Sequence, residues 1–303
     1  MATSVTTGAT TLHESAVTAL GAAMRGPLIR PGDPSYDEAR TVYNAMIDKR
    51  PALIAQCLNV ADVIAAVNFA RDNHVIVAIR GGGHNGPGLG TVDDGLVIDL
   101  SRMNGVRVDP EARTARVEGG AQLGDLHHTT DAFRLATPSG IISTTGVGGI
   151  TLGGGLGHLT RQFGLAIDNL LEADVVLADG RFVRASEAEH PDLFWALRGG
   201  GGNFGVVTSF VFRLHPLPTL TAGPMLWPLE RSAEVLRWYR DFLPTAPDEL
   251  NGFFAFLTVP SVAPFPEELW NQKMCGIVWA YTGDAPGEVF APIRALFGPP
   301  ALD

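Results

Sequence analysis

The clearest hydrophobic pattern in the chain lies between residues 52 and 100. Leu53–Gln56 is a short apolar run, and Ala61–Asn73 repeats its apolar positions at helical spacing. Val75–Ile79 and Leu96–Leu100 are again apolar runs of strand length. Strand, helix and strand in this order predict a β-α-β unit, and therefore a sheet that is at least partly parallel.

The segments from residue 106 to residue 218 predict hairpins and short helices. Alternating apolar and polar positions flank an Asp-Pro and an Asp-Gly dipeptide, both of which favour tight turns. Helices are predicted over Ala121–Phe133 and after Pro191, where the segment ends on glycine. The β-branched run that follows Gly205 predicts a strand that ends before Pro216.

The character of the sequence changes near residue 218, where the glycine clusters cease and Trp, Phe and Pro become frequent. Beyond this point the pattern predicts two helices, over 234–243 and 287–297, and two strands, over 252–259 and 273–283. We therefore expect an N-terminal segment over 1–45, with a short helix over His13–Met24, one domain over 46–218 and a partial domain over 219–303.

Charge and cysteine content narrow the classes of function. The net charge is −10 and the pI is near 5.2, which argues against nucleic acid or an anionic membrane as partner. Cys57 and Cys275 match no metal-binding spacing and are expected to be free, buried thiols in a reducing compartment, without a metal. No apolar run approaches the roughly 18 residues of a membrane span, and the N-terminus lacks the features of a signal peptide. We expect a cytoplasmic protein.

Three glycine clusters stand out: Arg80–Gly90, Thr144–Thr160 and Arg198–Val207. Glycine permits positive φ angles and lets a ligand approach the main chain, and consecutive N–H groups can form an anion site. Three such clusters in one domain suggest a long ligand, such as a dinucleotide. The composition alone is equally compatible with tight turns in a crowded domain.

The usual nucleotide motifs do not fit these clusters. Gly200, Gly202 and Gly205 have G-x-G-x-x-G spacing, but a helix is predicted before them and a strand after them. A Rossmann fingerprint requires the reverse order, so we reject it. No cluster is followed by G-K-S or G-K-T, which excludes a Walker phosphate loop.

His84 lies within the first cluster. A loop histidine is ordinarily a surface residue, but a neutral imidazole can also serve as a nucleophile. The stretches "RGGGHNGPGLG", "GVGGITLGGGLG", "GLAIDNLLEADVVLADG" and "HPDLFWALRGGGGNFGVV" resemble the berberine-bridge-enzyme-like FAD oxidoreductases of the para-cresol methylhydroxylase / vanillyl-alcohol oxidase superfamily. The resemblance extends from about Ala52 to Pro218.

This resemblance implies an α+β fold, in which a two-subdomain FAD-binding domain is followed by part of an α+β substrate domain with an antiparallel sheet. It implies FAD as cofactor, with His84 bonded covalently to the flavin 8α-methyl carbon. His158 could approach the flavin, and Val207 would lie near the adenine. The implied cofactor-binding residues are Arg80, Gly81, Gly82, Gly83, His84, Asn85, Gly86, Gly140, Thr144, Thr145, Gly148, Gly149, Gly154, Gly155, His158 and Val207.

Two departures from the family bear on function. Ile142 stands where many members carry a second, cysteinyl flavin attachment, so we expect a single attachment through His84. Family members also continue beyond the position of Asp303, and their usual catalytic base lies in that part, so no catalytic residue is assigned. We expect hydride transfer from a small organic substrate, such as an alcohol or sugar, to flavin N5, with O2 or another electron acceptor. The alternative is a truncated flavin-binding remnant without turnover.

Overall fold

The structure, a computed structural model, describes residues 12–296 and 300–302. It forms two compact units. One comprises the described residues up to Leu156 together with Leu165–His215, and the other comprises Gly157–Gly164 and the described residues from Pro216 onwards. Residues 1–11, which belong to the predicted N-terminal segment, and residue 297, the predicted end of the last helix, lie outside the described residues.

The first unit contains a four-stranded mixed sheet. Its strands are β1 (Leu28–Ile29), β2 (Leu53–Gln56), β3 (Val77–Arg80) and β4 (Leu96–Asp99). The order is β1-β2-β4-β3, with β2, β4 and β3 parallel and β1 antiparallel to β2. The helices beside this sheet are α1 (Glu14–Ala23), the single turn α2 (Tyr36–Ala39) and α3 (Val60–Asp72).

Helix α3 begins where the sequence offers a capping residue. The Asn59 side chain accepts the Asp62 N–H at 3.1 Å, as an N-cap does. The Asp62 carboxylate is buried and accepts the N–H groups of Arg25, Gly26 and Leu58. The apolar face of α3, with Val63, packs into the same core as α1 and the sheet, so the predicted β-α-β unit is confirmed.

The first unit also contains a five-stranded antiparallel sheet of order β5-β6-β10-β8-β9. Its strands are β5 (Val106–Asp109), β6 (Thr114–Glu118), β8 (Leu170–Val176), β9 (Phe182–Ser186) and β10 (Val206–Arg213). The helices of this part are α4 (Leu123–Asp131), α5 (Val147–Leu152) and α7 (Pro191–Leu197). The short strand β7 (Leu135–Ala136) follows α4 in the chain. Both predicted hairpins are confirmed, with Phe210 at the centre of the core.

The second unit is built on a three-stranded antiparallel sheet of order β12-β14-β13. Its elements are α6 (Thr160–Phe163), β12 (Thr221–Pro228), α8 (Ser232–Phe242), β13 (Leu250–Thr258), β14 (Lys273–Tyr281) and α9 (Pro286–Leu296). The chain passes from the first unit to the second within the short strand β11 (His215–Pro216). Trp227 and Trp279 are fully buried in its core.

The predicted mixed fold class is confirmed, including the antiparallel sheet near the C-terminus. The main correction concerns β3, which begins at Val77 rather than Val75 and exposes Val77 on the sheet edge. Helix α5 was not predicted, because its glycines have low helix propensity and give no apolar period. Among the described residues, none of the helices combines the length and the apolar character needed for a bilayer crossing.

Candidate cofactor-binding site

The first glycine cluster forms a loop that begins at the end of β3. Arg80 Nη2 donates to Asp99 Oδ2 at 2.7 Å, and the parallel register places these two residues opposite each other. The Asp99 carboxylate also accepts from Gln56 Nε2 at 3.1 Å and from the Ser101 N–H at 3.0 Å. Arg80 and Asp99 are both buried, and the low dielectric of the interior strengthens the hydrogen bond between them. This bond fixes the position at which the loop begins.

A neighbouring stretch, the 39–49 segment, packs along this loop. Arg80 Nη1 donates to the carbonyl of Ala39 and, at 3.2 Å, to that of Thr41. At the other end of the segment, Lys49 Nζ donates at 3.1 Å to the carbonyl of Gly88. The buried arginine therefore joins three parts of the chain: β4, the glycine loop and the 39–49 segment.

The glycine loop and two other glycine segments meet backbone to backbone. A Cβ on Gly82 would lie 2.3 Å from the Gly146 nitrogen, and one on Gly146 would lie 2.2 Å from the Gly82 nitrogen. Similarly, a Cβ on Gly148 would lie 2.9 Å from the carbonyl oxygen of Gly119. These distances are shorter than any side chain tolerates, so glycine is required for this packing.

Other glycines have open space where a side chain would be. Nothing lies within 4 Å of the Cβ position of Gly149 or Gly202, although both line the same cleft. Gly201 has a φ of +72°, a conformation that favours glycine. The cleft therefore presents bare backbone, whose N–H groups a ligand can approach closely.

The cleft has a volume of about 740 Å³ and lies within the first unit. The predicted residues that line it are Arg80, Gly81, Gly82, Gly83, His84, Asn85, Thr145, Gly148, Gly149 and Val207. Further lining residues, which the sequence did not single out as binding residues, include Gly119, Gly146, Gly153, Gly201, Gly202, Asn203 and Gly205. Four of these belong to the third glycine cluster, of which the sequence had assigned only Val207 to binding.

His84 lies at the edge of this cleft and is partly buried. Its Nε2 hydrogen-bonds with Thr144 Oγ1 at 3.0 Å, and Thr145 Oγ1 lies 3.5 Å from its Nδ1. Tyr43 stacks on the imidazole with ring centroids 3.9 Å apart and planes 17° apart. His84, which the family resemblance singled out, thus has Tyr43 against one face of its ring and a threonine hydroxyl near each ring nitrogen.

The remaining predicted binding residues lie elsewhere. Gly86, Gly140, Thr144, Gly154, Gly155 and His158 do not line the cleft, although Thr144 reaches it through His84. Gly140 and Gly155 have packing roles in the structure: a Cβ on Gly140 would lie 2.3 Å from Ile150 Cδ1, and one on Gly155 would lie 2.4 Å from Ala166 Cβ. Crowding and a φ of +79° account for glycine at position 155 without a ligand, whereas the contact at Gly140 is with the flexible end of an isoleucine side chain.

His158 belongs to the other compact unit. Its ring lies edge-on to Phe253 at a centroid distance of 4.9 Å, and Asn251 Nδ2 donates to the carbonyls of Gly157 and His158. Burial lowers the pKa of His158 below its usual value, which favours the neutral ring. A neutral imidazole can accept or donate a hydrogen bond.

Neither cysteine is placed for attachment to a ligand. Cys57 and Cys275 are free and buried, as predicted, and burial raises the pKa of both thiols. Ile142, at the position where a cysteinyl attachment would occur, is about half exposed. Within the ranges that the structure describes, no three His, Cys, Asp or Glu side chains cluster as metal ligands do.

Comparison with known proteins agrees with this geometry. A family model described as an FAD binding domain matches residues 51–186, which include strands β2 to β9 and the glycine loop. The (R)-6-hydroxynicotine oxidase of Paenarthrobacter nicotinovorans is 41% identical over 205 residues, 67% of this chain and 45% of that protein. The chain thus spans about half the length of the curated relatives it matches.

Two solved structures extend the likeness beyond the matched domain. The BBE-like 1 protein of Physcomitrella patens has a TM-score of 0.80 and 28% identity, over 92% of this chain and 58% of its own. The xylooligosaccharide oxidase of Myceliophthora thermophila, solved with xylobiose, has a TM-score of 0.78 and 32% identity, over 93% of this chain and 59% of its own. This chain therefore carries the FAD binding domain of the berberine-bridge-enzyme-like FAD-linked oxidoreductases.

Proposed function

We propose that the glycine-lined cleft binds FAD and that the chain is an FAD-dependent oxidoreductase whose flavin is attached through His84 alone. The observation that carries the proposal is the cleft itself, which presents bare glycine backbone and has one oriented histidine at its edge. We assign 46–218 to the FAD-binding domain, 219–303 to part of a substrate domain, and 1–45 to an N-terminal segment.

The charge of the cleft suits a diphosphate that is held by main-chain groups. Arg80 is the one Lys or Arg among the described lining residues, and its guanidinium already pairs with Asp99. The N–H groups of the loop from Gly81 to Gly86 would therefore neutralise the pyrophosphate, as in other anion nests. Thr145, Gly148 and Gly149 would lie along the flavin and ribityl chain, and Val207 near the adenine.

Bound FAD would supply hydride acceptance at N5. The chain's own residues would orient it and exclude water, while His84 would hold it covalently. In the attachment, a bond would form between an imidazole nitrogen of His84 and the 8α-methyl carbon. One proton would leave the imidazole and one the methyl group, and the electron pair of the broken C–H bond would pass finally to O2 or another acceptor. Ile142 offers no nucleophile for a second bond.

The proposed substrate is a small organic molecule with an oxidisable carbon, such as an alcohol or a sugar. The relatives support this breadth, because their names refer to 6-hydroxynicotine in one case and to xylooligosaccharides in the other. O2 or another small acceptor would take the electrons. Two free, buried thiols support a cytoplasmic location.

Acid precipitation tests the attachment. We expect FAD-loaded wild-type protein to give a yellow pellet that retains flavin fluorescence, because a covalent bond survives unfolding. His84→Ala should bind FAD in its native state but release it into the acid supernatant. His128→Ala, an exposed histidine on α4, is the matched control and should behave as wild type. A colourless wild-type pellet would contradict covalent attachment, and flavin retained by His84→Ala would move it to another residue.

A further inference from the structure

The stack of Tyr43 on His84 is unusual for a surface aromatic residue. Tyr43 is 67% exposed, so its ring contributes little to a hydrophobic core. Yet its plane lies 17° from the imidazole plane, with centroids 3.9 Å apart, which is a close face-to-face contact. A contact of this kind between two partly exposed rings points to a role at His84 rather than in folding.

Two hydrogen bonds join the 39–49 segment to the loop that carries His84. The Tyr43 N–H donates to the carbonyl of Gly83, the residue before His84, at 3.1 Å. The neighbouring Asn44 Nδ2 donates to the carbonyl of Gly86 at 2.9 Å. One bond comes from the main chain and the other from a side chain, so the segment that carries Tyr43 is tied to the loop on both sides of His84.

Close packing further along the loop strengthens this arrangement. A Cβ on Gly88 would lie 2.7 Å from Ile47 Cγ2, and one on Gly83 would lie 3.7 Å from the Cα of Val42. Gly83 and Gly88 both have positive φ angles, +70° and +75°. The loop therefore adopts glycine-specific turns where the 39–49 segment lies against it.

We propose that Tyr43 is a positioning residue, which holds the His84 imidazole in the orientation needed for attachment to the flavin. This inference rests on the proposed function, since it concerns the same covalent bond. Tyr43 covers one face of the ring, while Thr144 and Thr145 lie at the two nitrogens. The ring's remaining freedom is small, so the imidazole would need little further ordering when FAD binds.

The chemical step is the one given above. One N–C bond forms, one proton leaves the imidazole and one leaves the methyl carbon, and O2 or another acceptor finally takes the electron pair. Tyr43 exchanges neither proton nor electron in this step. Its ring alone is required, so phenylalanine should replace it and alanine should not.

The test follows attachment over time after FAD is added to protein that was expressed without it. Flavin retained in the acid pellet measures covalent attachment, and quenching of flavin fluorescence before acid measures binding. We expect Tyr43→Ala to bind FAD within about twofold of wild type but to attach it about three- to tenfold more slowly, the range that an aromatic pair contributes. Tyr43→Phe should attach at the wild-type rate. Trp195→Ala, which removes a 74% exposed ring from α7, is the control.

A second readout does not depend on flavin. The His84 ring protons of the flavin-free chain should be shifted upfield in the NMR spectrum by the tyrosine ring current, and Tyr43→Ala should remove that shift while Tyr43→Phe retains it. Wild-type attachment rates in Tyr43→Ala would overturn the inference and leave the proposed function intact. Loss of FAD binding itself in Tyr43→Ala would also overturn it. If wild type holds FAD without a covalent bond, both proposals fail.

Discussion

Glycine has two different physical roles at the cleft, and they can be separated residue by residue. At Gly82 the neighbouring backbone occupies the space of a side chain, so glycine permits the fold. At Gly149 that space is open, although the residue lines the cleft, so we propose that glycine there permits the approach of a ligand. The first role should be visible in stability and the second in cofactor affinity.

Gly149→Ala should therefore affect stability and FAD binding in opposite directions. Alanine has a higher helix propensity than glycine by about 1 kcal/mol, and Gly149 lies within α5 with no protein atom in the way. We expect the flavin-free protein to melt at the same or a slightly higher temperature, while the dissociation constant for FAD rises. Thermal unfolding and fluorescence titration measure the two quantities.

Gly82→Ala should instead lower the free energy of unfolding by about 1–3 kcal/mol, because the added methyl group would overlap the Gly146 backbone. Gly86→Ala, in the same loop but with nothing within 4 Å, is the control and should fold normally.

For Gly149→Ala, an unchanged affinity for FAD would show that the ligand does not pass over this glycine.

At the scale of elements, the strands and helices with strong periodicity could be predicted from sequence, and the contacts between distant segments could not. The β-α-β unit followed from apolar runs around α3, which match the local period. The packing of the 39–49 segment against the glycine loop joins positions that are about 40 residues apart and carries no local signal. The sequence therefore identified His84 but not Tyr43, its stacking partner.

The buried pair of Arg80 and Asp99 should be one of the most sensitive points in the first unit. Asp99→Asn leaves the guanidinium without its counter-charge in a buried place, so we expect a loss of about 3–5 kcal/mol in the free energy of unfolding. Urea unfolding measures it. Asp72→Asn, which alters an exposed pair with Arg71 in the same unit, should change stability by less than about 0.5 kcal/mol. Equal effects of the two substitutions would refute a structural role for the buried pair.

At the scale of the whole molecule, a chain with a net charge of −10 is proposed to bind a cofactor that is itself an anion. In the proposed site, main-chain N–H groups rather than lysines would neutralise this anion, so charge composition alone gives no hint of FAD. The substrate could not be predicted from the sequence either, because the glycine clusters indicate a cofactor and carry no information about the molecule that is oxidised.

Mass spectrometry of one peptide tests the central claim most directly. Trypsin cleavage after Arg80 and Arg102 would release Gly81–Arg102, which contains His84 as its only histidine and no cysteine. After FAD loading and unfolding, we predict that this peptide carries the mass of the flavin and that fragmentation places it on His84. Recovery of Gly81–Arg102 without added mass from protein that had bound FAD would contradict the account.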